Sequence, residues 1–351
     1  MIETSSPPVE SARRSRSLSR RIFFRLVYVT YLIGLVWGGC RLVWWAKFGV
    51  PITKRLDRET IMTINYPVLK TAGLMAAETQ PRANDFNVLL LGASVLEQCA
   101  PVFAERSQRE FARAWKTFNL CFAAHTTRDS WLKYDFVKDQ PFRLIIIHHA
   151  INDARMNCCL PGTFKADYTH CCWYEAMKYE LESGSFLLPE ALRLSMKNHI
   201  ELGEPKGERV AEGGDLKTPP AFRANIEAII QAAAVRGSRV VLITFALHLP
   251  ENYLRDAFMK GELDYGSGPH RLPAELWGRP EHVRAAVAAH NDVMRKLGQD
   301  YPQEVVLIDL AAEFPEDGAY FCDPCHLTAL GVERWNEIVF RELHRQGVAA
   351  Q

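Results

Sequence analysis

Three sets of residues in this chain have the types and spacing to do chemistry. Asp323-Pro324-Cys325-His326 sets a carboxylate and an imidazole three positions apart, the pairing of a catalytic base with the group that orients it. Gly92-Ala93-Ser94 sets a hydroxyl directly after an apolar run, where a strand would pass into a helix and both the hydroxyl and its own N–H would stand at the sheet edge. Ala150-Ile151-Asn152-Asp153 follows another apolar run, and a side-chain amide there can stabilise a tetrahedral oxyanion by roughly 3 kcal/mol. Nucleophile, base, orienting acid and oxyanion donor together describe acyl transfer. Each piece alone has a plainer use: serine before a helix is ordinarily an N-cap, and asparagine after a strand an Asx turn. The C-terminal stretch also reads as Cys322-x-x-Cys325-His326, the attachment signature of a c-type haem, with His326 as axial ligand.

These residues matter only if the chain brings them together. From about Asp85 onward, short apolar runs alternate with amphipathic helical patterns, as in a parallel sheet covered on both faces. Strands are expected at Asn87 to Leu91, Thr117 to Cys121, Arg143 to His148, Arg239 to Phe245 and Val305 to Ile308, each short and several rich in Val, Ile and Leu. Helices are expected at Val95 to Trp115, Thr127 to Val137, Pro220 to Val235, Pro280 to Leu297 and Thr328 to His344. The expected class is α/β, a flavodoxin-like three-layer sandwich with a five-stranded parallel sheet, in which ligands bind at the carboxyl ends of the strands. Residues 154 to 218 are too many for an ordinary loop and read as a Cys-rich insertion over that edge, helical between Tyr174 and Leu181.

At this point the chain resembles the SGNH/GDSL hydrolase superfamily, in which four blocks bring Ser, Gly, Asn and His together in this order. The resemblance spans roughly residues 85 to 345 by order and spacing, and its most specific piece is Asp323-Pro324-Cys325-His326-Leu327-Thr328-x-x-Gly331. It implies Ser94 as nucleophile, His326 as base, Asp323 as its orienting acid, and an oxyanion hole built from the Ser94 N–H, the Ala124 N–H and the Asn152 amide. The pattern is departed from at Ala93, where the founding motif has Asp, and at Ala124 and Ala150, where it has Gly. A backbone N–H survives a change from Gly to Ala, but a left-handed backbone angle is strained by the added methyl. No cofactor or metal is called for. The resemblance implies an esterase or O-acyltransferase acting on acyl groups, foremost acetyl, of envelope or secreted carbohydrate, or on a lipid ester, with polysaccharide biosynthesis or export machinery as a candidate partner.

The N-terminal region supplies the location. Residues 1 to 21 are polar, with Arg13, Arg14, Arg16, Arg20 and Arg21 clustered, and read as a disordered basic tail. Residues 22 to 45 are apolar apart from Arg25 and Arg41, long enough to cross a bilayer. The upstream arginines favour a cytoplasmic N-terminus and an exported remainder. Residues 46 to 84 read as a stalk, and 85 to 351 as the catalytic domain. With 48% hydrophobic and 24% charged residues the chain is ordinary globular material, and a net charge of +1 gives no field that would recruit nucleic acid.

Nine cysteines suit an oxidising compartment better than the cytosol. Cys158 or Cys159 would pair with Cys171 or Cys172, or with Cys322 or Cys325, in a connectivity that spacing does not determine. Cys99 and Cys121 read as small buried residues, and His148 and His149 as core histidines. Trp131, Tyr168, Trp173, Tyr174 and Trp277 are candidates to stack on sugar rings, although scattered aromatics belong more often to cores. The alternatives to an enzyme are the c-type haem protein and a non-catalytic envelope interaction protein.

Overall fold

In the computed structural model, residues 9–49, 55–111, 115–185 and 190–348 are described. Five strands form one all-parallel sheet: β1 (Phe86–Gly92), β2 (Trp115–Asn119), β3 (Leu144–His148), β4 (Arg239–Ile243) and β5 (Val305–Ile308), in the order β2-β1-β3-β4-β5. The central runs are apolar at every position because both faces are covered. On one face Val88, Leu90, Ile146, Val241 and Ile308 pack with Leu96, Cys99 and Phe103 of the helix Ser94–Glu110 and with Trp335, Ile338 and Val339 of the helix Ala329–Arg345. On the other, Leu89, Leu91, Ile145, Ile147 and Leu242 pack with Tyr134 of the helix Thr127–Val137 and with Phe222, Ile226 and Ile230 of the helix Thr218–Ala234. Successive strand residues alternate between the two cores, as the pleat requires. The expected three-layer α/β class is what the chain adopts.

Registry puts the chemistry on one edge. Gly92 of β1 lies opposite His148 of β3, so the residues after each strand, Ser94 and Asn152, leave the sheet side by side. Asn119 of β2 pairs with Leu90, bringing the loop from Leu120 to Thr126 to the same edge.

Three segments differ from the sequence expectation. Helix begins at Val9 and runs unbroken to Phe48, so the basic segment is helical from that residue; the first eight lie outside the described residues. An established apolar helix extends upstream at the small cost of propagation, without a new nucleus. Within it Arg20–Val43 is long and apolar enough to cross a membrane, and no part of its most apolar window is covered by protein. Residues 58 to 74, read as stalk, instead form two short helices, Arg58–Asn65 and Val68–Thr71, whose Ile61, Met62, Tyr66 and Leu69, with Leu74, are buried. The first helix after β1 stops at Glu110 rather than Trp115, because Trp115 opens β2 beside Phe86.

Candidate active site

The turn from β1 into its helix is tight. A Cβ on Gly92 would lie 2.7 Å from Leu96 Cβ and 3.1 Å from the His148 carbonyl, which explains glycine there. Ala93 is the N-cap, in extended conformation, and Ser94 is the first helical residue. The Ser94 hydroxyl therefore does not cap the helix: its Oγ lies 2.8 Å from His326 Nε2, across 232 positions of sequence.

His326 is held by its neighbour three residues back. Its Nδ1 lies 2.8 and 3.0 Å from the two carboxylate oxygens of Asp323, which also accepts the backbone N–H groups of His326 (2.8 Å) and Cys325 (3.0 Å) on Oδ1 and of Leu272 (3.0 Å) on Oδ2. Asp323 is fully buried, and burial pushes its acidity down; the His326 ring and these N–H donors outweigh it and hold the carboxyl below its ordinary range. A carboxylate only accepts, so Nδ1 donates to Asp323 and Nε2 is the nitrogen that faces Ser94. The ring of His270 stacks on that of His326, with centroids 4.1 Å apart and planes 23° apart.

Asn152 sits in the short helix Ile151–Ala154 at the exit of β3. Its Nδ2 donates to the His125 carbonyl (3.0 Å), and its Oδ1 accepts from Trp277 Nε1 (3.0 Å). Between β2 and that carbonyl, Ala124 takes φ +62°, the left-handed angle that Gly would adopt freely. Asp153 closes the same corner by accepting from Thr127 N, Thr127 Oγ1 (2.5 Å) and Tyr168 Oη (2.8 Å). The structure thus brings Ser94, His326 and Asp323 into one hydrogen-bonded chain, with Asn152 and the Ala124 loop at the same sheet edge.

The cysteines behave otherwise than expected. No disulfide is formed among the described residues. Cys322 Sγ turns to the His326 carbonyl (3.4 Å) and Cys325 Sγ lies 3.5 Å from His326 Nδ1, so neither thiol faces the other pairs. Cys158 faces the Trp277 carbonyl (3.6 Å) and Cys171 the Met156 sulfur (3.7 Å), while Cys158, Cys159, Cys171 and Cys172 share the wall of a cavity of about 170 Å³. For a haem, Cys322 and Cys325 are buried and both nitrogens of His326 are engaged, which leaves no axial position. His148 and His149 are buried and bonded to the Ile243 carbonyl and the Ser130 hydroxyl, and burial lowers them to about 4 and about 3. Tyr168 and Tyr174 are buried donors to Asp153 and Asp129, Trp173 and Trp277 are also buried, and Trp131 is partly exposed.

Sequence reasoning passed over His270, Leu272 as a donor, and the Trp277 indole N–H. They share the span from 270 to 277, whose only sequence signal is an aromatic and an imidazole in a Gly- and Pro-rich loop.

No protein-family model and no curated protein matches the sequence. Among solved structures it is similar to a GDSL-like lipase from Bacteroides thetaiotaomicron (13% identity, 81% of this chain and 98% of that one, TM-score 0.44). It is also similar to a lipase/acylhydrolase from Enterococcus faecalis (14%, 74% and 96%, TM-score 0.39). A third is a catalytic mutant of an acetylxylan esterase from Geobacillus stearothermophilus (10%, 75% and 96%, TM-score 0.42). By its own strand order the chain is a five-stranded parallel α/β sandwich of flavodoxin-like order, with the serine after β1 and the Asp-x-x-His pair after β5.

Proposed function

We propose that this chain is a membrane-anchored serine esterase or O-acyltransferase of SGNH type, acting on acyl esters, foremost acetyl, of envelope or secreted carbohydrate. The observation that carries the reading is the continuous line from Ser94 Oγ through His326 to Asp323, with 2.8 Å at each end. In the reaction, Ser94 Oγ attacks the ester carbonyl as its proton passes to His326 Nε2, and Asp323 stabilises the resulting imidazolium. The carbonyl oxygen takes up negative charge against the N–H groups of Ser94 and Ala124 and the Asn152 amide. Collapse breaks the ester C–O bond, and the leaving alcohol takes the proton from Nε2. Water then releases the acid, or a sugar hydroxyl takes over the acyl group. The exposed apolar helix Arg20–Val43 supports anchoring, with the arginines before it favouring a cytoplasmic N-terminus.

Organophosphonate labelling tests this reading. A mass adduct on Ser94, lost in Ser94→Ala together with at least about 10⁴-fold of aryl acetate hydrolysis, is expected. Folded protein that takes no adduct would return the chain to the non-catalytic reading.

A further inference from the structure

We propose that Trp277 is a positioning residue that locks the Asn152 amide in the one orientation able to receive an oxyanion; this rests on the esterase reading above. The two ends of an asparagine amide have nearly the same shape, so only their partners decide which end points where. Here the partners make opposite demands. The indole N–H of Trp277 can only donate, and at 3.0 Å it requires the carbonyl end; the His125 carbonyl can only accept, and at 3.0 Å it requires the NH₂ end. One hydrogen of Nδ2 goes to His125 and the second is left for substrate. Rotating the amide by half a turn would set two donors face to face and two acceptors face to face, and would turn a lone pair toward a developing negative charge.

Trp277 is itself fixed. It is 4% exposed, its backbone N–H donates to the Ala274 carbonyl (3.0 Å), and the Ala274 N–H in turn donates to Tyr253 Oη (3.0 Å). Its ring also lies beside that of His326, with centroids 6.4 Å apart. The same connection between β4 and β5 supplies His270 against the His326 ring and the Leu272 N–H to Asp323. One span of eight residues, 270 to 277, therefore braces the base and its acid, which follow β5, and the oxyanion amide, which follows β3.

The test is steady-state aryl ester hydrolysis by the full-length protein in detergent. Trp277→Phe keeps a buried ring and removes the N–H. It is expected to lower kcat by about 10- to 100-fold, a part of the 10²- to 10³-fold effect of losing an oxyanion donor, with KM changed less than about twofold. In an Asn152→Ala background the same change should lower kcat by less than about twofold, because the group it orients is gone. Should Trp277→Phe unfold, benzothienylalanine at position 277, which replaces the N–H by sulfur in a ring of the same shape, is expected to reproduce the loss of kcat. An unchanged kcat in either variant of an active enzyme, or losses that multiply in the double variant, would overturn the inference alone. Wild-type protein that neither hydrolyses ester nor takes phosphonate overturns the esterase reading and this inference with it.

Discussion

At φ +62°, the Cβ of Ala124 crowds its own backbone, a strain that glycine would not have. The loop tolerates it because both flanks are tied down: the His125 N–H bonds to the Phe122 carbonyl, and the His125 carbonyl takes the Asn152 amide. Ala124→Gly should therefore raise stability by about 1 kcal/mol, read as a higher urea midpoint at unchanged slope, with ester hydrolysis retained. A lower midpoint would mean that the methyl packs better than it strains. At this scale Ser94, Asn152, Asp323 and His326 were legible because a residue's place relative to a strand end follows from local pattern. Trp277 was not, since what its N–H meets is decided by a residue 125 positions away.

The helix Thr127–Val137 shows how an element can support the site from beneath. It starts on a capping box between Thr126 and Asp129, and Asp129 also accepts from Tyr66 and Tyr174 hydroxyls at 2.9 and 2.6 Å. One turn on, Lys133 is completely buried, donating to the Leu120 carbonyl and lying 2.9 Å from His125 Nδ1, so it ties both ends of the Ala124 loop. Burial lowers its pKa to about 8, against an ordinary 10.5 in the unfolded chain. Below pH 8 both states hold the proton and the folded state bears the full desolvation penalty. Between pH 8 and about 10.5 the unfolded chain holds the proton that the folded one has lost, so this residue's contribution to stability rises with pH, by up to roughly 3 kcal/mol. Buried Cys121 and Tyr66, both raised by burial, work the other way over that range, so the comparison must be with Lys133→Met. Urea unfolding at pH 7.5, 8.5 and 9.5 should show the difference between the two proteins growing in favour of the wild type; a constant difference would place the lysine's pKa at its ordinary value. The helix was legible from its period and cap, whereas its buried lysine contradicts the polar face a sequence assigns to it.

For the whole molecule, the domain begins earlier than its strands suggest. Helices of eight and four residues are too short to display a period, so the segment from 58 to 74 has no helical signature, yet it closes the core beside β1 and β3 through Met62, Tyr66, Leu69 and Leu74. Asn65 adds a bond to Glu180 (3.2 Å), which pairs with buried Arg193 (3.2 Å). Protein shortened to begin at Asp57 should unfold cooperatively like the parent domain. Protein beginning at Ala83 should be molten or insoluble, because each buried apolar side chain removed contributes about 1.5–3 kcal/mol and the usual margin is about 5–15. Equal unfolding midpoints for the two would return the segment to the role of a stalk.

The 232 positions between Ser94 and His326 also bear on how the site is assembled. His326 and Asp323 find each other within one loop, but the serine stands at the first strand and the imidazole beyond the last. In the folded chain β3 and β4 lie between β1 and β5, and the helix Ala329–Arg345 packs beside Ser94–Glu110. Loop closure over such a separation is among the slower events available to a chain. The pairing of Ser94 with His326 is thus a property of the finished topology rather than of any fragment: a chain interrupted before β5 carries its serine without the imidazole.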